Sequence, residues 1–324
     1  MDEKWLKERT FNHQDFADLS LLARKKAGLG LTVSVGLPTL NVGATLGPIL
    51  DICRTLQKEY GLIDQLAIID SCSADDTVAI ALDRGAEIYH DREILPDLEP
   101  AAGKGEALWK SLAVLTGDII IWIDSDIANF HPRFIYGLLG PLLDHQEIGY
   151  VKAFYRRPLV MAAGERQENE GGRVTEVCAR PLLNIFWPPL ANLIQPLSGE
   201  SAARRDVLTS VPFFTDYAVE VGLLVNILRQ YGLPTIAQVD LEERVHTNQP
   251  LHKLGRMSFA ILQAVFKLLG QDGPTSGREL SNIRETFNFI NGEYIAVSEP
   301  VPVIERPPLD SLEVAEKGGF KEKV

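Results

Sequence analysis

Ile119-Ile120-Ile121-Trp122-Ile123-Asp124-Ser125-Asp126 is the stretch that decides the fold. Five apolar residues end in two carboxylates separated by one serine. A short apolar run of this kind, following Gly117-Asp118, reads as a strand buried on both faces. A charge buried without a partner is costly, so Asp124 and Asp126 belong at the strand's exit. In an open α/β sheet the carboxyl ends of the strands form the ligand crevice. Two hard oxygen ligands there suit Mg2+ or Mn2+, held by carboxylates together with substrate phosphates. A plain strand ending in a polar turn reads the same way locally, so the neighbours must separate the two.

Upstream, residues 32–37 are β-rich and halt at Pro38-Thr39-Leu40-Asn41, because proline does not continue a central strand. Residues 45–60 carry a helical period. Residues 65–70 are a second apolar run ending in a carboxylate, and Ser71-Cys72-Ser73-Ala74-Asp75-Asp76-Thr77 supplies cap chemistry for a helix to Arg84. Residues 87–90 are a short third strand. An acidic, proline-bearing loop follows, and Gly103-Lys104-Gly105-Glu106 opens a helix over 107–115. This alternation predicts right-handed βαβ units and a mostly parallel, Rossmann-like α/β sheet flanked by helices.

Downstream the rhythm changes. His131-Pro132 begins a helix, residues 149–155 form a strand ending in Arg156-Arg157-Pro158, and residues 162–172 are polar and glycine-bearing. A loop of that kind is expected to be a functional lid, closing over an acceptor, or disordered. Helices are expected over 174–186, 219–231 and 251–269, with a strand over 235–241. The organisation reads as a polar lead-in (1–30), a strand–helix half (31–130), a second half of changed rhythm (131–270) and a wrapping C-terminal tail (271–324).

The 324 residues include 32 basic and 44 acidic side chains, a net charge of −12. That excludes a general nucleic-acid or anionic-membrane binder, which needs a basic face. Anionic substrates would then require basic residues gathered at the site. Cys53, Cys72 and Cys178 lack metal spacing and read as reduced, cytosolic thiols. No run reaches the roughly 18 to 20 apolar residues of a membrane span. A soluble, cytoplasmic protein is expected.

Several groups are candidates for chemistry. The three strand ends, at Pro38-Thr39-Leu40-Asn41, Asp70-Ser71 and Asp124-Ser125-Asp126, would lie side by side and could hold a nucleoside diphosphate. Gly103-Lys104-Gly105 is neither a phosphate-binding P-loop nor a dinucleotide fingerprint, since the spacing fails for both. Lys104 nevertheless stands at a helix start, where an anion is favoured; the alternative is a solvated lysine in a glycine turn. Gly172-Arg173-Val174-Thr175 also puts a cation and a hydroxyl at a helix start: an anion cradle, or an ordinary cap. His246 is a possible third metal ligand or a structural histidine. Leu197-Ser198-Gly199-Glu200 and Tyr217-Ala218-Val219-Glu220 each set a carboxylate beside small residues, for sugar hydroxyls or as helix-start glutamates.

Taken in order, these motifs resemble the glycosyltransferase A fold. Lys152-Ala153-Phe154-Tyr155-Arg156-Arg157-Pro158, Gly172-Arg173-Val174-Thr175-Glu176, Gln195-Pro196-Leu197-Ser198-Gly199-Glu200 and Tyr217-Ala218-Val219-Glu220-Val221-Gly222 narrow the resemblance to the glucosyl-3-phosphoglycerate synthase family, over residues 31–258. The resemblance implies a retaining transfer of glucose from UDP-glucose to 3-phosphoglycerate, with Mg2+ or Mn2+ and a homodimer. It implies a catalytic set of Lys104, Asp124 and Glu220. The donor would meet Pro38, Thr39, Leu40, Asn41, Ser71, Lys104, Asp124, Ser125, Leu197, Gly199 and Glu200. The acceptor would meet Gly172, Arg173, Val174, Thr175 and Asn248, and the metal Asp126 and His246. Two positions depart from the family pattern: Val42 stands where an acidic residue is usual, and Gln249 where a basic one is common. Relatives that transfer mannose from GDP-mannose to the same acceptor keep that donor open. Outside the resemblance, a sugar nucleotidyltransferase would also use metal and carboxylates on a parallel sheet. It would carry a glycine-rich loop with a basic residue, which residues 34–43 lack. A non-catalytic nucleotide binder would not need the Asp pair, Lys104 and His246 together.

Overall fold

The computed structural model describes residues 2–157, 159–160, 166–167, 172–245, 250–272, 282–290 and 293–312. Its centre is a twisted sheet whose strands, in chain order, are β1 (Thr10–Asn12), β2 (Val33–Thr39), β3 (Gln65–Asp70), β4 (Glu87–His90), β5 (Ile119–Trp122), β6 (Tyr150–Arg156), β7 (Ser201–Arg204) and β8 (Ile236–Glu243). Across the sheet the order is β1-β8-β6-β7-β5-β2-β3-β4. Every pairing is parallel except those of β7, which runs antiparallel to both β5 and β6.

β5 shows why this sheet sits in the middle. Ile119, Ile121 and Ile123 face one apolar layer, with the helices Gly43–Lys58 and Arg133–Asp144. Ile120 and Trp122 face the other, with the helices Lys104–Ser111, Val219–Tyr231 and Leu251–Asp272. All five side chains are at most 1% exposed, so the strand is buried on both faces and its charges come after its end.

Four sequence expectations are revised. β2 runs through Pro38 to Thr39, pairing Pro38 with Ile69 of β3. On its other side β5 stops opposite Gly36, and the Pro38 carbonyl accepts from Ser125 Oγ (2.9 Å). The missing N–H therefore faces no strand and costs no ladder bond. The first thirty residues are part of the main architecture. β1 forms the sheet edge, and Trp5, 5% exposed, donates from Nε1 to the carbonyls of Leu233 and Ile236. The C-terminal region contains a hairpin of Ile283–Ile290 with Glu293–Pro300, and Glu305–Arg306 pairs with Phe213–Phe214. The helix expected over 174–186 is present but begins with a π turn, Thr175–Ala179. Pro181 supplies no N–H and its ring crowds the carbonyl four residues back, and the turn before it widens, with Arg180 N–H bonding Thr175 O.

Candidate active site

Parallel strands place their carboxyl ends on one edge, and here Asn41, Ser71, Asp124, Arg157 and Arg244 all follow such ends. β7 is antiparallel, so its beginning lies on that same edge. That is how Gly199 reaches Asp124 and Glu200 reaches Arg244. The approach is close: a Cβ on Gly199 would sit 1.8 Å from an Asp124 oxygen, a space that only glycine leaves open.

Asp124 is the hub. Lys104 Nζ donates to its Oδ1 (2.6 Å) and Arg244 Nη2 to its Oδ2 (3.0 Å). Lys104 also pairs with Glu220 (3.1 Å). Arg244 Nη2 reaches Asp126 Oδ1 (2.6 Å), and its Nε faces Glu200 Oε1 (3.2 Å). Glu200 is fully buried and accepts from Tyr155 Oη. Burial disfavours the Asp124 carboxylate, but Lys104 and then Arg244 more than offset it and hold its pKa well below the usual carboxylate value. Burial likewise opposes the Lys104 ammonium, and Asp124 and Glu220 reverse that, keeping its pKa above the ordinary lysine value. Four carboxylates thus face two cations, with Arg157 a third over the Tyr155 ring.

The ends of β2, β3 and β5 come together side by side, as expected. Thr39 Oγ1 donates to Asp70 Oδ1 (3.0 Å), Ser73 Oγ to the same oxygen (2.6 Å), and Ser71 Oγ to Asp91 (2.7 Å). Asn41, at φ +54°, accepts from Ala74 N–H, and its own N–H donates to Ser73 Oγ. Val42 contributes a backbone N–H to Thr77 Oγ1. Thr45 Oγ1 donates to the Ser125 carbonyl (2.6 Å), tying the helix Gly43–Lys58 to the aspartate turn. Leu40 is 57% exposed and offers an apolar face on this edge. Ser198 is buried beside Gly199, and Leu197 packs against the core.

Beyond β6 lies a second region. A cavity of about 420 Å3 is lined by Tyr155, Arg156, Arg157, Gly172, Thr175, Arg180 and Gln195, among others. It brings the cationic end of β6 to the helix start at 172–175. Arg180 is committed to Glu176 and to the carbonyls of Leu193 and Ile194. Arg157 Nε and Gln195 Oε1 are buried with no hydrogen-bond partner among the described residues. Arg173 is exposed at the same helix start, whereas the Val174 side chain joins the core and could offer only backbone. His246, Asn248 and Gln249 lie outside the described residues, as does most of the polar 162–172 loop. Val245, just before His246, is held by Ala128 and Asn129, three residues or fewer from Asp126.

Arg244 and Tyr155 are the groups that sequence reasoning passed over. Arg244 stands two residues before the histidine that drew attention. Its signal was positional: a charge just past a strand that ends beside Asp124.

Residues 34–198 match the family described as glycosyl transferase family 2. The chain is 44% identical over 320 residues to glucosyl-3-phosphoglycerate synthase of Petrotoga mobilis, covering 98% of each. It is similar to the crystal structure of glucosyl-3-phosphoglycerate synthase from Mycobacterium tuberculosis in complex with Mn2+, UDP and glucosyl-3-phosphoglycerate. That likeness has a TM-score of 0.80 at 40% identity, covering 93% of this chain and 98% of the other. It is also similar to the mannosyl-3-phosphoglycerate synthase structure from Rubrobacter xylanophilus, with a TM-score of 0.86 at 39% identity, covering 95% and 97%.

Proposed function

The chain belongs to glycosyl transferase family 2, with the glucosyl-3-phosphoglycerate synthases, and from this premise we propose that it transfers glucose from UDP-glucose to 3-phosphoglycerate. The observation that supports this reading best is an acidic strand edge and a basic cavity sharing one wall. Tyr155 lines the cavity and bonds Glu200, which faces Arg244, which grips Asp124 and Asp126. A donor carried with a divalent cation suits the first region, and a phosphorylated carboxylic acid suits the second.

The relatives in complex with Mn2+ or Mg2+ and UDP make the divalent cation part of the reading. The residues fit it: the cluster carries more carboxylates than cations, and the Asp126 side chain is 48% exposed, open to a further ligand. Both Asp124 oxygens are already bonded to cations, so Asp126, with His246 from the resemblance, would hold the metal. When bound, such an ion offsets the charge developing on the leaving diphosphate. Lys104 is held beside that charge by Asp124 and Glu220. Glu220 and Asp124 are both ion-paired to Lys104, which makes them poor nucleophiles. Retention is therefore assigned to a front-side attack, in which the leaving phosphate oxygen takes the acceptor's hydroxyl proton. Gly172, Arg173, Thr175 and the Arg156–Arg157 pair surround the acceptor. A homodimer in the cytoplasm completes the proposal, in keeping with three free cysteines.

The likeness to the mannosyl enzyme and the Val42 substitution favour GDP-mannose as the second reading. Crossing UDP-glucose, GDP-glucose and GDP-mannose with 3-phosphoglycerate, with and without Mn2+, decides it. Metal-dependent glucosyl transfer with retained anomeric configuration is expected. Faster turnover of GDP-mannose would replace the glucosyl reading with the mannosyl one.

A further inference from the structure

We infer that Arg306, on the C-terminal segment, is a positioning residue for the transfer, acting through Lys104 and Glu220. The inference rests on the functional reading above, because it takes those two residues as part of the reacting cluster.

Arg306 is 6% exposed and Glu106 fully buried. They form a two-pronged pair, Nε to Oε2 at 2.9 Å and Nη2 to Oε1 at 3.0 Å. Nη2 also donates to the Glu99 carbonyl, and the guanidinium lies 5.5 Å above the Trp109 ring. Trp109 Nε1 in turn donates to the Pro307 carbonyl (3.0 Å). The segment therefore holds the helix Lys104–Ser111 at two points on its first turns, and Lys104 is the first residue of that helix.

The same segment holds the carrier of Glu220. Glu305–Arg306 pairs with Phe213–Phe214. Thr215 N–H bonds the Ile304 carbonyl (3.0 Å), and Ile304 N–H bonds Thr215 Oγ1 (2.9 Å). From Thr215 the chain passes through the turn Asp216–Ala218 into the helix Val219–Tyr231, where Glu220 is the second residue. The two carriers also touch directly: a Cβ on Gly105 would lie 2.1 Å from the Phe214 carbonyl oxygen. Residues 304–307 thus fasten both elements whose side chains meet at the 3.1 Å Lys104–Glu220 pair.

A well-packed apolar pair could replace a buried ion pair without loss of stability. What it would not reproduce is the fixed fork of a guanidinium on a carboxylate. A displacement of about 1 Å at a reacting group can cost on the order of 100-fold in rate, so the fork's value here is its geometry.

Arg306→Met alone leaves the buried Glu106 with only a longer contact to Lys110 (3.6 Å), so the test uses Arg306→Lys and the paired change Glu106→Leu with Arg306→Met. Both are made in the wild-type chain and in the Lys104→Ala background. Thermal unfolding, kcat and KM are read for each. Expected is a cooperatively folded paired variant with kcat lowered about tenfold or more and both KM values within about twofold. Arg306→Lys should lie between it and wild type, and the Lys104→Ala background should show little further loss. Unchanged kcat in a folded paired variant, or equal losses with and without Lys104, would overturn the inference. If the paired variant does not fold, Arg306→Lys decides: kcat equal to wild type overturns it, and a lowered kcat at an unshifted Tm supports it. Wild-type chain that transfers no glucose to 3-phosphoglycerate would instead overturn the functional reading.

Discussion

The donor-side strand ends and the cavity beyond β6 differ in how far each satisfies itself. At the donor side, Thr39, Asp70, Ser73, Asn41, Asp75 and Thr77 bond one another and the backbone. The Thr77 hydroxyl and the Gly43 N–H hold the Asp75 carboxyl below its usual pKa. In the cavity, Arg157 Nε and Gln195 Oε1 are buried with no hydrogen-bond partner among the described residues. Buried polar groups without partners are costly. On the proposed reading, the Thr39–Asp70–Asn41 cradle of the donor side is already bonded within itself, while the acceptor cavity keeps buried polar atoms for what binds in it. Preorganisation lowers the cost of binding, so, if the proposed donor site is right, the nucleotide sugar should be the substrate the free enzyme is readier to accept.

The largest expected effect tests the acidic half. Asp126→Ala, or EDTA added to wild type, should abolish turnover; undiminished activity in chelator would remove the metal from the account. Next comes the basic half. Arg157→Ala should raise the KM for 3-phosphoglycerate about 10- to 100-fold, from the about 1.5–3 kcal/mol of a hydrogen bond to a charged group. The KM for the donor should hardly change, and an equal rise in both would erase the distinction drawn here.

Stability, rather than turnover, reports on the hub that joins the two regions. Breaking a buried pair costs about 3–5 kcal/mol, and Asp124→Asn should lower Tm accordingly. The pH dependence follows from the shifts. The depressed Asp124 pKa gives stability that is present above the unfolded value of about 3.9 and lost as pH falls through the folded one. The raised Lys104 pKa gives stability present below the unfolded value of about 10.4 and lost as pH rises through the folded one. The Tm gap between wild type and Asp124→Asn should therefore be flat from about pH 5 to 10 and narrow on either side; a gap that changes between pH 5 and 8 would contradict the assignment. Smallest is Thr39→Val, which leaves Asp70 one donor short. It should cost about 1 kcal/mol in denaturant unfolding, with a modest rise in donor KM.

Legibility followed range. β5 and its exit into Asp124 and Asp126 were readable because five apolar residues and two charges settle their own burial. The helix Val219–Tyr231 was expected with those bounds, from a period carried by its own residues. β7 was not readable. Ser-Ala-Ala-Arg has neither alternation nor β-branched residues, and it is a strand only because β5 and β6 leave a gap between them. Pro38 was read as a stop because its neighbours were unknown; β5 ends early enough to leave its nitrogen unopposed. Arg244 looked like one more loop charge, and Arg306 like part of a wrapping tail.

Taken alone, the sequence determined the alternating strands and helices from β2 to β5, that carboxylates end the central strand, and which family the motifs resemble. Those are decided by periodicity, caps and the cost of burying charge, all within a few residues. Only the tertiary structure decided that Arg244 bridges the aspartates, that an antiparallel strand delivers Glu200 to the same edge, and that the chain's end is fastened to the helix bearing Lys104. These partners are about 120 and 200 residues apart. A salt bridge across such a distance depends on where the folded chain brings its ends, which local pattern does not encode.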